Sequence, residues 1–192
     1  RYFMYFHAPA DVRRMAFLVW KYPARDDDRW IFIPAVNMVR RVAAKDSRSS
    51  FVGSDFTYED VSGRDLAADV HTLVREERLG EADCYVVQSV PKSPQDYARK
   101  LAWIDKRTFL PLKEEYFDAQ GQLGRVFSAD KVEEIAGAKG KRYPTITRRT
   151  MKNLKSGHRT EVTFSGTTYD AGLSEDAFAE RTLQDPPQSW IR

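Results

Sequence analysis

Hydrophobic and polar positions alternate with a period of two over most of the chain, in short runs closed by Pro, Gly or Asp, which predicts a succession of antiparallel strands. Tyr2 to Phe6 is apolar or aromatic on both alternating faces and runs into Ala8, Pro9 and Ala10, so it reads as a strand covered on both sides. Met15 to Tyr22 places Ala16, Leu18, Trp20 and Tyr22 on one face and Phe17 and Val19 on the other, and Pro23 with the polar tract Arg25 to Arg29 makes the turn of a first hairpin. Trp30 to Ile33 follows, stopped by Pro34, then Met38 to Ala44. Within the latter, Arg40 and Arg41 point to opposite faces, so one of them is expected to lean toward the interior or a groove.

The pattern breaks at Ser49 to Val61, where Gly53, Ser54 and Asp55 interrupt Phe51, Val52, Phe56 and Tyr58. This stretch reads as one or two helical turns joined by a bend, with Asp55 or Ser54 as N-cap of a turn beginning near Phe56. Its aromatics either plug the end of a core or form a lid over a cavity. A helical turn within Arg64 to Val70 precedes a return to strands: His71 to Leu79, the apolar and therefore central Cys84 to Val90, Leu101 to Asp105, Leu112 to Phe117, a strand holding Val126 and Phe127, Tyr143 to Leu154, and Thr160 to Thr168. Pro91, Ser93 and Pro94 break one junction, and Asp118 to Gly121 is the clearest turn signal. Ser174, Glu175 and Asp176 open a short helix expected to reach Leu183, ended by Asp185, Pro186 and Pro187, with Trp190 packing back onto the body.

Composition bounds the function without naming it. The chain has 192 residues, 42% of them hydrophobic and 31% charged, which fits one globular domain, and no run approaches the roughly 18 to 20 apolar residues that span a bilayer as a helix. The start at Arg1, directly before the apolar run Tyr2 to Phe6, resembles the inside of a strand, so upstream sequence is expected to supply it with a neighbour and a helix. Cys84 is the one cysteine, within an apolar run, which predicts an inert buried thiol and no intrachain disulfide. A net charge of +3 is too mild to indicate nucleic acid by itself. His7, His71 and His158 lack metal-ligand spacing, no nucleotide-loop or nucleophile-elbow motif occurs, and Asp26 to Asp28 reads as a solvated turn. Neither an enzyme nor a cofactor is expected.

One charge feature changes this picture. Between Glu134 and Glu161 there is no acid, while Lys139, Lys141, Arg142, Arg148, Arg149, Lys152, Lys155 and Arg159 fall inside the window. A hairpin built from it presents either a solvated basic face or a surface for anionic lipid headgroups or an acidic partner.

The segments WIFIP (Trp30 to Pro34), NMVRR (Asn37 to Arg41), GSDFTYED (Gly53 to Asp60), CYVVQSVP (Cys84 to Pro91), WIDKRTFLP (Trp103 to Pro111) and HRTEVT (His158 to Thr163) resemble the bacterial outer-membrane lipoprotein-sorting proteins of the LolA-like superfamily. The resemblance runs over nearly the whole chain. It implies a mainly β fold, a curved antiparallel sheet forming a half-open β-barrel with short helices over an apolar cavity, and a single domain over residues 1–192 that lacks the family's N-terminal helix and first strands. It also implies a periplasmic location and a carrier for lipoprotein acyl chains or lipid, with a membrane transporter or acceptor protein as partner. The alternative on the same fold is a non-enzymatic sensory or regulatory interaction module. With the alternation pattern, it nominates Tyr5, Trp20, Phe32, Met38, Phe51, Phe56, Tyr58, Trp103 and Tyr116 as cavity residues, each of them equally compatible with plain core.

Overall fold

The computed structural model describes residues 1–23, 25–93 and 95–190, with the backbone but not the side chain of Lys139; the expected break at Pro94 lies outside the described residues. Antiparallel β-structure dominates, in two sheets of four and seven strands. The chain divides into two compact units, one of Arg1–Val52, Thr57–Gly63 and Gly172–Arg192, the other of Gly53–Phe56 and Arg64–Ala171.

The first unit holds β1 (Tyr2–Tyr5), β2 (Ala16–Trp20), β3 (Asp28–Ile33) and β4 (Met38–Arg41) as a meander in chain order. Register explains the two-faced apolar pattern. Leu18 stands opposite both Phe3 and Trp30, and Ala16 opposite Tyr5 and Phe32, whereas Phe17 stands opposite Met4 and Ile31 on the other face. The first face is covered by Leu183 and Phe178, the second by Val42, Phe51, Tyr58 and Val61. Burying both faces stabilises the sheet by about 25 cal/mol per Å2 of apolar surface removed from water.

The helix expected over Ser174 to Leu183 is instead two 3-10 turns, Glu175–Phe178 and Glu180–Leu183, and Ser174 makes no side-chain cap. In a continuous α-helix, Phe178 and Leu183 would point about 140° apart. The extended backbone at Ala179 (φ −78°, ψ 153°) breaks the helix, and Leu183 is fully buried against Ala16, Leu18, Trp30 and Phe32. The Trp20 indole N–H donates to the Phe178 carbonyl at 2.7 Å, and Trp190 packs on Phe3 with ring centroids 5.4 Å apart, as the tail was expected to do.

Of the adjacent arginines, both exposed, Arg40 leans toward a groove, where it lines a pocket, and the arginine buried in this unit is Arg29. Its guanidinium donates to Asp27 at 2.7 Å and to the buried Ser62 hydroxyl at 3.2 Å, while Lys21 donates to Asp27 at 2.7 Å. The Asp26 to Asp28 tract is therefore not simply solvated. Asp28 is buried between Arg25 and Arg41, and the Arg25 guanidinium, with that of Arg41, holds its carboxyl below the usual range against the opposing effect of burial.

The second unit is a seven-stranded antiparallel sheet, in the order β11, β10, β9, β8, β7, β6, β5. Its strands are β5 (Asp69–Leu79), β6 (Ala82–Pro91), β7 (Arg99–Asp105), β8 (Pro111–Phe117), β9 (Leu123–Ala136), β10 (Arg142–Asn153) and β11 (Arg159–Thr163). The central strand is β8, not the more apolar β6, which lies beside the edge strand β5. Cys84, Val86 and Trp103 form a buried cluster, and burial pushes the Cys84 thiol pKa up, in keeping with an inert side chain. The Asp118 to Gly121 turn forms as expected, its carboxylate accepting from the N–H groups of Gln120 and Gln122 with Gly121 at φ 77°. The last strand stops at Thr163, short of Thr168.

Candidate functional site

The GSDFTYED segment serves two structures. Thr57, not Ser54 or Asp55, caps the helix α1 (Tyr58–Ser62): its hydroxyl accepts from the Asp60 N–H while the Asp60 carboxylate accepts from the Thr57 N–H. This reciprocal box satisfies two of the free N–H groups of a helix only five residues long. Asp55 is unavailable as a cap because it is bound within the second unit, at the turn that joins β10 to β11. Its carboxylate lies 2.7 Å from His158 Nδ1 and accepts from the Thr160 hydroxyl at 2.8 Å, while its own N–H donates to Thr160 Oγ1 at 2.9 Å. The Asp55 side chain is 7% exposed, whereas that of His158 is 64% exposed. Next to it, Phe56 is buried, 3% exposed, with the Arg149 guanidinium 5.1 Å above its ring and Phe164 on the other contact of that arginine.

The nine nominated residues are distributed over several surroundings. Tyr5, Trp20 and Phe32 belong to the first face of the four-stranded sheet, Phe51 and Tyr58 to the second, and Met38 is exposed. Trp103 and Tyr116 are buried in the second unit, Trp103 donating its indole N–H to Glu77 at 3.0 Å and Tyr116 packing edge-on against Tyr97 at 5.2 Å. Phe51 and Tyr58 are brought together, their rings perpendicular at 5.2 Å.

Beside that pair, the first unit has a pocket of about 350 Å3. Met15, Ile31, Ile33 and Val42 give it apolar walls, Tyr58 one aromatic side, and Arg40, Asp46, Ser49 and Ser50 its polar groups. Arg40 and Asp46 approach to 3.8 Å, with the guanidinium 58% exposed. Burial pushes the Tyr58 phenol pKa up, only partly offset by Arg40, so the hydroxyl stays protonated as a donor at neutral pH. Sequence reasoning missed these wall residues. Their signal is the odd parity of Ile31 and Ile33 on β3, which sets them on the face of Phe17 and not on that of Trp30 and Phe32. Among the described residues no group of three or more His, Cys, Asp or Glu is placed to hold a metal ion, and no helix is long and apolar enough to cross a membrane.

Two antiparallel sheets with few helices make this a mainly β protein with the fold of LolA-like structures. The chain belongs to the family whose model, described as an uncharacterized protein, matches residues 1–185, and its structural neighbours are an outer-membrane lipoprotein-sorting domain, a DUF1329 family protein and a LolA superfamily protein. A structure described as an outer membrane lipoprotein-sorting protein domain, from Vibrio parahaemolyticus, is 27% identical with a TM-score of 0.87, over 95% of this chain and 76% of that one. A DUF1329 family protein from Desulfovibrio piger is 31% identical with a TM-score of 0.84, over 94% of this chain and 75% of that one. A LolA superfamily protein from Nitrosomonas europaea shares the fold at 24% identity and a TM-score of 0.66, over 93% of this chain and 76% of that one. None of the curated proteins matches the chain.

Proposed function

We propose that the protein is a non-enzymatic periplasmic carrier that takes up acyl chains, on a lipoprotein or on a free lipid, for sorting toward the outer membrane. The observation that carries this reading is the apolar-walled pocket with Arg40 among its polar groups. Each methylene that leaves water there contributes about 0.8 kcal/mol, so half a dozen give about 5 kcal/mol. That corresponds to a dissociation constant near 0.2 mM, weak enough for release. Arg40 supplies a cation for the carboxylate or phosphate at the polar end of a lipid, and the Tyr58 hydroxyl a neutral donor. Tyr58 is the nominated aromatic that meets this cargo, with Phe51 packed behind it at 5.2 Å. The description of the Vibrio domain as lipoprotein-sorting supports the same assignment.

The test is titration of lipid-stripped protein with a fluorescent fatty acid. Ile33→Glu, at a half-buried wall position, is expected to weaken binding about tenfold or more while the melting temperature moves little. A stripped parent that binds no acyl probe, or a variant that binds like the parent, overturns the proposal. A stable protein complex formed by probe-inactive protein favours the regulatory module instead.

A further inference from the structure

We infer that the outer face of β9, β10 and β11 is a docking surface for membranes rich in anionic phospholipid. The acid-free window of the sequence folds largely into β10 and its turns, and register decides where its charges go. Arg148 is the register partner of Lys131 on β9, at a bulge in that pairing, and Lys152 stands directly opposite Arg159 on β11. Like charges facing each other across an antiparallel ladder destabilise it, so the Lys152–Arg159 pair in regular register has no rationale in the stability of the sheet. All four side chains point to solvent: Arg148 and Lys152 are exposed, and Lys131 and Arg159 keep 56% and 65% of their side-chain surface.

The acids nearby are already engaged. Glu133 pairs with Lys131 at 2.9 Å and Glu161 with Arg159 at 3.1 Å, and Asp130 accepts from the Thr150 hydroxyl at 2.6 Å. Among the described residues, Arg148 and Lys152 enter no ion pair. The edge strand β11 is five residues long and pairs only with β10, so its outer side is open.

The residues between the cationic pairs select the occupant. Ser128, Thr150 and Glu161, with Thr163 opposite Arg148, supply no aromatic or aliphatic anchor, and Val126 opposite Lys152 is half-buried, so the centre lacks the large exposed apolar side chain that a protein partner needs. A sheet of headgroup phosphates needs none. It meets Arg148 and Lys152 at once, the members of the two pairs that no acid neutralises, and each basic residue held at such a surface contributes about fivefold to binding.

Co-sedimentation with vesicles tests this without any acyl probe, so its outcome is separate from that of the carrier reading. The parent is expected to bind phosphatidylcholine vesicles containing about 30% phosphatidylglycerol, to ignore pure phosphatidylcholine, and to be released as salt rises to about 0.5 M. The double variant R148Q/K152Q is expected to bind about 25-fold more weakly with an unchanged or higher melting temperature. R13Q/K45Q, which removes the same charge from exposed positions elsewhere, leaves binding as it was. The inference is overturned by binding without preference for anionic lipid, by equal losses in the two double variants, or by polyglutamate or single-stranded DNA binding the parent as tightly as the vesicles do.

Discussion

Replacing Asp55 with alanine removes the acceptor that ties the GSDF segment to β11. Two side-chain hydrogen bonds go, from His158 Nδ1 at 2.7 Å and from the Thr160 hydroxyl at 2.8 Å. They are not of equal worth. A bond to a charged group contributes about 1.5 to 3 kcal/mol where water is excluded, and the 7% exposure of Asp55 places the Thr160 bond in that class. His158 is 64% exposed, so its contribution is screened to about 0.5 kcal/mol. The sum predicts a loss of about 2 to 3.5 kcal/mol for Asp55→Ala, out of a total margin of about 5 to 15. Thr160→Val is expected to cost nearly as much, since it also strands the Asp55 N–H, and the double variant less than the sum by about 1 to 2 kcal/mol. His158→Gln is expected to cost under about 1 kcal/mol. Urea unfolding followed by far-ultraviolet circular dichroism measures all four. A loss below about 0.5 kcal/mol for Asp55→Ala, or a His158 variant as damaging as the Thr160 variant, refutes the assignment of the strength to the buried bond.

Phe109 sits at φ 58° with 71% of its surface exposed, so Phe109→Gly removes backbone strain and little packing; a gain of about 0.5 to 1 kcal/mol in the same unfolding assay is expected, and a loss shows that the ring packs. Asp105 titrates below the ordinary carboxyl value: burial raises it, but the Thr108 hydroxyl and the N–H groups of Arg107 and Thr108 lower it further. A depressed folded-state value means that this contribution is complete above the unfolded value of about 3.9 and is lost as pH falls through the lower folded one. Asp105→Ala is therefore expected to be less stable than the parent at neutral pH, with the difference in urea midpoint shrinking below about pH 4; a difference that grows on acidification contradicts this.

Strands were legible wherever alternation had only one physical solution. The two-faced apolar pattern of Tyr2 to Phe6 needs cover on both sides, and Met4 and Phe6 do pack on one cluster while Phe3 and Tyr5 pack on the other. The Asp118 turn was readable because its signal is local: one carboxylate, two nearby N–H groups and a glycine. What escaped depends on partners distant in sequence. Asp55 looks like a cap until His158 and Thr160, more than a hundred positions away, are beside it. Arg29 looks like a turn residue until Ser62 meets it inside the first unit. Ser174 to Leu183 has the residues of a helix start, but the pull of the apolar sheet on Leu183 outweighs a helix of two or three turns. The aromatic criterion reached only Tyr58 of the pocket, because its other walls are Met15, Ile31, Ile33 and Val42, and such apolar residues look the same in sequence whether they face a neighbour or a vacancy.

The unequal strand lengths of the seven-stranded sheet carry a dynamic consequence. The pairing of β8 with β9 ends at Ser128 and that of β10 with β11 begins at Arg148, so the far half of the β9–β10 hairpin is a ribbon of two strands beyond the sheet. Such a ribbon has no third strand to share its load and is marginal alone. It is steadied along one side by Tyr169, which stacks on Tyr143 at 4.3 Å and shares a hydrogen bond with the Thr145 hydroxyl at 2.7 Å, and by Asp170, which accepts from the Tyr143 hydroxyl at 3.1 Å. Gly137 leaves the room this clasp requires, since a Cβ there would lie 2.5 Å from the Tyr143 ring. Amide protons along the ribbon therefore trade with solvent through a local opening that needs only the tyrosine clasp to part, whereas those shared by β6, β7 and β8 wait for the whole sheet to come apart.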